Sequence, residues 1–193
     1  MLKSDVLNYK NKMSLGVKTG CALCAVAASV ALPQALHLLG RMSGLGTALG
    51  EVFLPMHLPV ILVGLLAGRY AGFAAGVFAP LLSYLITGMP LIGMLPFMMI
   101  ELGVYGLIAG CLSDVRINAI AKVFIVQVAG RAVRAVAILA AVNFFGYTKI
   151  KSSVIINSIK VGMFGIILQL IIIPLVVFWV ETKIKESGEK NNE

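Results

Sequence analysis

Apolar runs and polar breaks alternate along this chain, and the apolar runs are long enough to set the fold. A bilayer core of about 30 Å takes roughly 20 apolar residues as helix. On that measure six spans are predicted, at 14–39, 57–70, 72–87, 94–113, 119–145 and 154–180. The second and third are short and meet at Gly68-Arg69. Pro55 and Pro59 flank the start of the second, which reads as tilted or in part interfacial. Segment 40–56 is Gly-rich and reads as a loop long enough to cover a pocket. Residues 1–13 form a polar lead-in, and 181–193 read as a frayed polar tail. The fold class is therefore an all-α membrane protein, a six-transmembrane-helix bundle forming one domain over 1–193, with no internal repeat.

Composition supports lipid as the solvent. Hydrophobic residues make up 60%, charged residues 12%, and mean hydropathy is +0.99. A soluble domain carries about 25% charged residues, and 193 residues cannot hide this much apolar surface in one core. The net charge of +8 does not indicate nucleic acid, because the basic residues sit at chain ends and span flanks and no helix carries a basic stripe. They suit anionic headgroups instead. The start does not resemble a cleaved leader, since the first apolar run lacks a small-residue cleavage site. Lys3, Lys10, Lys12, Lys18, Arg69, Arg116, Lys122, Lys183, Lys185 and Lys190 fall on one side of a six-span bundle. Arg41, Lys149 and Lys151 fall on the other. The lysine and arginine bias places both termini in the cytoplasm.

Charge inside the spans is rare and costly, at a few kcal/mol or more per residue. Glu101, Arg131, Arg134 and Lys160 are kept there nonetheless. At 1.5 Å per residue, Arg131 lies roughly 18 Å and Arg134 roughly 22 Å above the inner face. Glu101 lies roughly 10 Å below the outer face, and Asn157 and Lys160 fall in the outer third of the sixth span. Three helices thus bring polar groups to one depth. Gln127 lies four residues before Arg131 and shares its face. Glu101 either fastens helices by pairing with an arginine or orients a ligand. Three cations against one acid call for an anionic ligand, water or lipid phosphate. His57, between Pro55 and Pro59, adjoins the same side and is either structural or a ligand contact.

Small residues mark close helix approach. Ala27, Ala31 and Ala35 recur every four residues, and serve either packing within the chain or docking to a partner membrane protein. Gly64/Gly68 and Gly72/Gly76 read as internal packing of the short spans. Cys21 and Cys24 form a C-x-x-C without a second Cys/His pair at metal spacing, so they and Cys111 read as packing residues, and no metal site is expected.

The run LPMHLPVILVGLLAGRYAG at 54–72 resembles the substrate-binding S components of energy-coupling-factor vitamin transporters, as do APLLSYLITGMP at 79–90, PFMMIELGVYGLIAGCL at 96–112 and the stretch from Lys160, KVGMFGIILQLIIIPLVVF. The resemblance covers most of the chain. It implies a multi-pass plasma-membrane receptor that binds a vitamin or vitamin precursor in the outer half of the bundle, under the first extracellular loop. It implies docking to a transmembrane T component and two cytoplasmic ATPase subunits. No cofactor is implied for this chain, since ATP is hydrolysed by the partners. Ala27 and Ala31 stand in the family's A-x-x-x-A docking pattern. Arg131, Lys160, Glu101, Arg134, Asn157, His57 and Gln127 are the expected substrate contacts, with Arg131 on an anionic group. The cationic excess favours a small acid such as pantothenate. Two other classes compete. A solitary proton-coupled carrier would use Glu101 with Arg131. An intramembrane enzyme would need a nucleophile such as Ser83 with His57, but no catalytic signature accompanies them.

Overall fold

The computed structural model describes residues 13–46 and 48–190. Its helices are α1 (Leu15–Met42), α2 (Ala48–Phe53), α3 (His57–Ala67), α4 (Arg69–Thr87), α5 (Leu95–Leu112), α6 (Ala119–Phe144) and α7 (Ser153–Lys190). No strand occurs among the described residues. Six stretches are long and apolar enough to cross a membrane, α2 and α3 counting together as Ala48–Ala67. The chain is a multi-pass membrane bundle. The lead-in, with Lys3, Lys10 and Lys12, lies outside the described residues.

Local chemistry sets several boundaries. Ser14 caps α1 by accepting from the Val17 amide at 3.3 Å, and Asn118 caps α6 by accepting from Ile120 at 2.9 Å. Gly68 has φ 100, a backbone state that favours glycine, and it alone separates α3 from α4.

Three expectations need correction. Segment 40–56 is not wholly loop: α1 runs to Met42, and α2 occupies Ala48–Phe53. The short span at 57–70 is not interfacial. Its helix α3 ends at Ala67 and is central, with Val60 and Ile61 fully buried. Eleven residues reach only about 16 Å, but a helix enclosed by protein need not match the lipid thickness. The polar tail continues α7 to Lys190, where a Lys183–Glu186 pair at 2.8 Å supports the helix.

Helices α3, α4 and α5 meet backbone to backbone. A Cβ on Gly64 would come 2.6 Å from the Gly106 carbonyl oxygen, and one on Gly76 would come 2.7 Å from the Gly103 nitrogen. The Gly64 and Gly72/Gly76 positions therefore do pack internally, with α5 as the shared partner. The main core gathers Val60, Ile61 and Leu65 from α3, Leu102 and Tyr105 from α5, Val123 and Val126 from α6, and Ile173 from α7. Helix α1 joins through Ala25 and Val26 against Val63 and Ala71.

At one end of the bundle the loops are tied together. Tyr147 donates to the Gly93 carbonyl at 3.2 Å and its ring meets Phe97 edge-on. Helix α2 seats on α7 at the same end, where a Cβ on Gly165 would come 2.6 Å from the Val52 carbonyl oxygen. Phe53 packs edge-on against Phe164, centroids 5.2 Å apart. This end is called the loop end below.

Candidate functional site

A cavity of about 390 Å³ opens at the loop end. Small-molecule sites typically span about 300–1,000 Å³. Leu54, Pro55, Met56 and His57 form the entry to α3 on one side, α1 forms a wall with Pro33, Gln34 and His37, and α2 contributes Gly50 and Glu51. Met56, Met89, Met94 and Met98 give it a pliable apolar lining. Glu101, Arg134, His57, Ser83 and Asn157 supply the polar side.

Glu101 is the hub of that side and is fully buried. Its Oε2 accepts from Arg134 Nη1 at 2.9 Å, and its Oε1 accepts from the Tyr105 hydroxyl at 2.9 Å. Arg131 Nη1 stands 3.9 Å from Oε1. Both carboxylate oxygens are therefore engaged by the protein. Glu101 orients Arg134 and neutralises charge, and its bonds run to helices rather than into the cavity.

The two arginines part company. Arg134 lines the large cavity, and Arg131 does not. Arg131 lines an adjoining one of about 10 Å³, which shares Glu101, Arg134 and Ser158 with the first and has room for about one water molecule. Arg131, expected as the substrate contact, sits one turn further from the loop end, below the Glu101 pair. Gln127 lies another turn below. It reaches neither cavity, and donates instead to Gln169 Oε1 at 2.9 Å, joining α6 to α7.

Lys160 is also corrected. It is exposed and lines neither cavity. Its depth suits the site but its direction does not. Val154, Asn157, Ser158 and Val161 turn one face of α7 to the cavity, and at about 100° per residue Lys160 points roughly 110° away. A lysine there carries its stem along apolar surface and its amine toward the interface. The cluster thus holds Arg131 and Arg134 against Glu101, one cation in excess where the depth estimate with Lys160 gave two.

Two residues outside the sequence-based set reach the cavity from α1. Gln34 and His37 both line it, and Gln34 Nε2 and His37 Nδ1 are buried without a hydrogen-bond partner among the described residues. His57 Nε2 and Arg134 Nε are in the same state. All four residues line the cavity, while these particular atoms are buried behind its surface. The signal for the first two was present in the sequence: two polar residues, three apart, inside an apolar span.

Ser83 is buried on the cavity wall, and its carbonyl accepts from the Thr87 hydroxyl at 2.7 Å. Cys24 and Cys111 are exposed and Cys21 half-buried, so the first two are not core packers. Among the described residues no cluster of metal-ligating side chains occurs. Ala27, Ala31 and Ala35 all lie on the exposed face of α1.

Comparison with known proteins matched a family model described as "ECF transporter, substrate-specific component" to residues 22–177. That family is a class of transporter subunits and not of enzymes. No curated protein and no solved structure matched the chain.

Proposed function

Because the chain belongs to the substrate-specific components of ECF transporters, we propose that it captures a vitamin or vitamin precursor in the loop-end cavity and delivers it by docking to a T component with two ATPases. The cavity of about 390 Å³, lined by apolar residues with Gln34, His57, Arg134 and Asn157 among them, carries this reading. The loop end is extracellular and both termini are cytoplasmic. Lys18, Arg69, Arg116, Lys122 and Lys183 at the opposite end support that orientation. The exposed face of α1 with Ala27 and Ala31 is the docking surface, where small side chains admit a partner helix closely.

Arg134, His57, Asn157, Gln34 and His37 are the residues assigned to the substrate, and Glu101 positions Arg134. Pantothenate was favoured by a surplus of cations. With Lys160 turned away, that surplus shrinks to Arg131 and Arg134 against Glu101.

Uptake into sealed vesicles tests the proposal. Substrate should accumulate against a gradient only when the T component, both ATPases and ATP are present. Accumulation by this chain alone, driven by a proton gradient, would make it a carrier and overturn the proposal.

A further inference from the structure

Two of the charges buried between α5 and α6 cannot be switched off. A guanidinium is not deprotonated in proteins, and a carboxylate carries at most one negative charge. Arg131 and Arg134 close on the single carboxylate of Glu101 at 3.9 and 2.9 Å. Whatever the state of Glu101, the cluster holds at least one positive charge in excess.

The groups packed around it do not cancel that charge. The Tyr105 hydroxyl donates to Glu101 Oε1 at 2.9 Å, so it is the neutral phenol. The imidazole of His57, its centroid 5.3 Å from that of Tyr105, is neutral or cationic and never anionic. Its Nδ1 donates to the Leu54 carbonyl at 3.2 Å, and Gln169 Nε2 donates to the same oxygen at 3.1 Å. Ser158 brings a hydroxyl, which donates to the Ile155 carbonyl at 2.9 Å. The adjoining space of about 10 Å³ has room for about one water, which carries no charge. Glu51 borders the cavity from α2, but it is exposed and has an interaction of its own. Solvent and salt screen a charge there far more than one inside the bundle.

Of the two arginines, Arg134 lines the large cavity, and 12% of its side chain is exposed. Its bond to Glu101 occupies one of the five N–H donors of a guanidinium. The same cavity is lined by Met56, Met89, Met94 and Met98 and by the amides of Gln34 and Asn157.

We propose that the cavity takes a small organic acid with a single carboxylate, which sets that carboxylate against Arg134 and cancels the surplus charge of the cluster. Its apolar body lies against the methionines. A carboxylate matches the planar fork of a guanidinium, and one such group matches one excess charge. A phosphate monoester, with close to two charges at neutral pH, would leave the site negative. This rests on the receptor reading above and adds to it the charge of the ligand and the residue that meets it.

The test uses the purified chain in mild detergent, stripped of bound compounds and incubated with deproteinised yeast extract. Retained molecules are identified by mass spectrometry. A compound with one carboxylate and a single net negative charge is expected. A compound with no net negative charge, or with two, would overturn the inference while leaving the receptor reading intact. A phospholipid as the only anion retained would overturn it too, because the membrane would then supply the counter-charge. If the folded wild-type chain retains nothing, the receptor reading fails and takes the inference with it. The retained acid and its primary amide, which has the same body without the charge, are then compared by calorimetry. The wild-type chain should bind the acid more tightly by about tenfold or more, and equal affinities would overturn the inference. Arg134→Gln keeps an N–H donor for Glu101 and leaves that carboxylate balanced by Arg131. It should weaken the acid by roughly tenfold to a hundredfold, leave the amide within a few-fold, and so erase the preference. A folded variant that keeps the preference would overturn the inference. Should the variant fail to fold, the charge of the retained compound and the acid–amide comparison on the wild type still decide the matter.

Discussion

Where α3, α4 and α5 meet, backbone touches backbone; around the cavity, side chains stop short of one another. The first region uses Gly64, Gly72, Gly76 and Gly106 to bring three helices into direct contact. The second, in the same bundle, leaves Gln34 Nε2, His37 Nδ1, His57 Nε2 and Arg134 Nε buried and without a partner among the described residues. Each such atom costs about 1–3 kcal/mol. A chain able to close so tightly in one place has not left the other open for want of packing. The glycine contact is a rigid frame, and the cavity beside it is the part left open. The difference teaches where to look for function in an apolar bundle: at the unpaired atoms beside the frame.

The comparison is broken most severely at Arg134. Arg134→Ala leaves Glu101 charged, fully buried and without its 2.9 Å partner. Breaking a buried pair from one side costs about 3–5 kcal/mol. The melting transition in detergent should fall accordingly, and retention of the small molecule should be lost. Arg131→Met and Arg134→Met combined with Glu101→Gln remove all three charges of the cluster and should recover most of the stability without recovering binding. A triple variant that binds normally would show that Arg134 belongs to the frame.

The frame itself is tested at Gly106. A Cβ there would overlap the Gly72 backbone, whose Cα lies 2.8 Å away. Overpacking of this kind costs about 1–3 kcal/mol. Gly106→Ala should lower the melting transition by that much, whereas Gly20→Ala should not, because nothing lies within 4 Å of a Cβ at that position. Equal behaviour of the two would mean that the α3–α4–α5 contact is not tight in the membrane.

Much of the frame was legible in the sequence, and less of the site. Spans at 94–113 and 119–145 match α5 and α6 closely because both are long, apolar and ended by polar residues. Helix α3 was misjudged because span length measures contact with lipid, and α3 is wrapped by protein. Helix α2 has six residues, too few for any periodicity to declare itself. The site reading followed depth and neglected direction. Depth grouped Glu101, Arg131, Arg134, Asn157 and Lys160; direction around α7 removes Lys160, and height along α6 separates Arg134 from Arg131. Glu51 was read as a loop residue, whereas it sits on α2 and lines the cavity. Gln34 and His37 carried the same signal that singled out Glu101, a polar group in an apolar span, and were legible without any structure.

The relay behind His57 should give a moderate effect. Gln169→Leu removes the donor to Leu54 and the acceptor for Gln127, leaving Gln127 Nε2 buried without a partner. Stability should fall by about 1–3 kcal/mol. Binding should weaken several-fold, because the Leu54 carbonyl is freed to turn and the imidazole with it. Gln127→Leu with Gln169→Leu removes the stranded donor and should recover part of the stability but not the affinity. Recovery of both would place the relay in the frame alone.

The smallest effect on the isolated chain is expected on the outer face of α1. Ala27 and Ala31 are exposed, one turn apart, and lie away from the core formed by Ala25 and Val26. Replacing both with leucine adds bulk where nothing in the chain is displaced, so stability should change by no more than about 0.5 kcal/mol. Affinity for the retained molecule should stay within a few-fold, since the cavity wall on α1 is made by Pro33, Gln34 and His37. Association with the T component should nevertheless be abolished, because two leucines hold a partner helix away from a surface that small residues keep low. Copurification of the two subunits from membranes, scored alongside the melting transition and binding of the same preparation, separates the outcomes. A double variant that melts normally, binds normally and still copurifies would show that the partner docks elsewhere. One that melts early would show that this face of α1 is packing surface, and the division between frame, cavity and docking face would have to be redrawn.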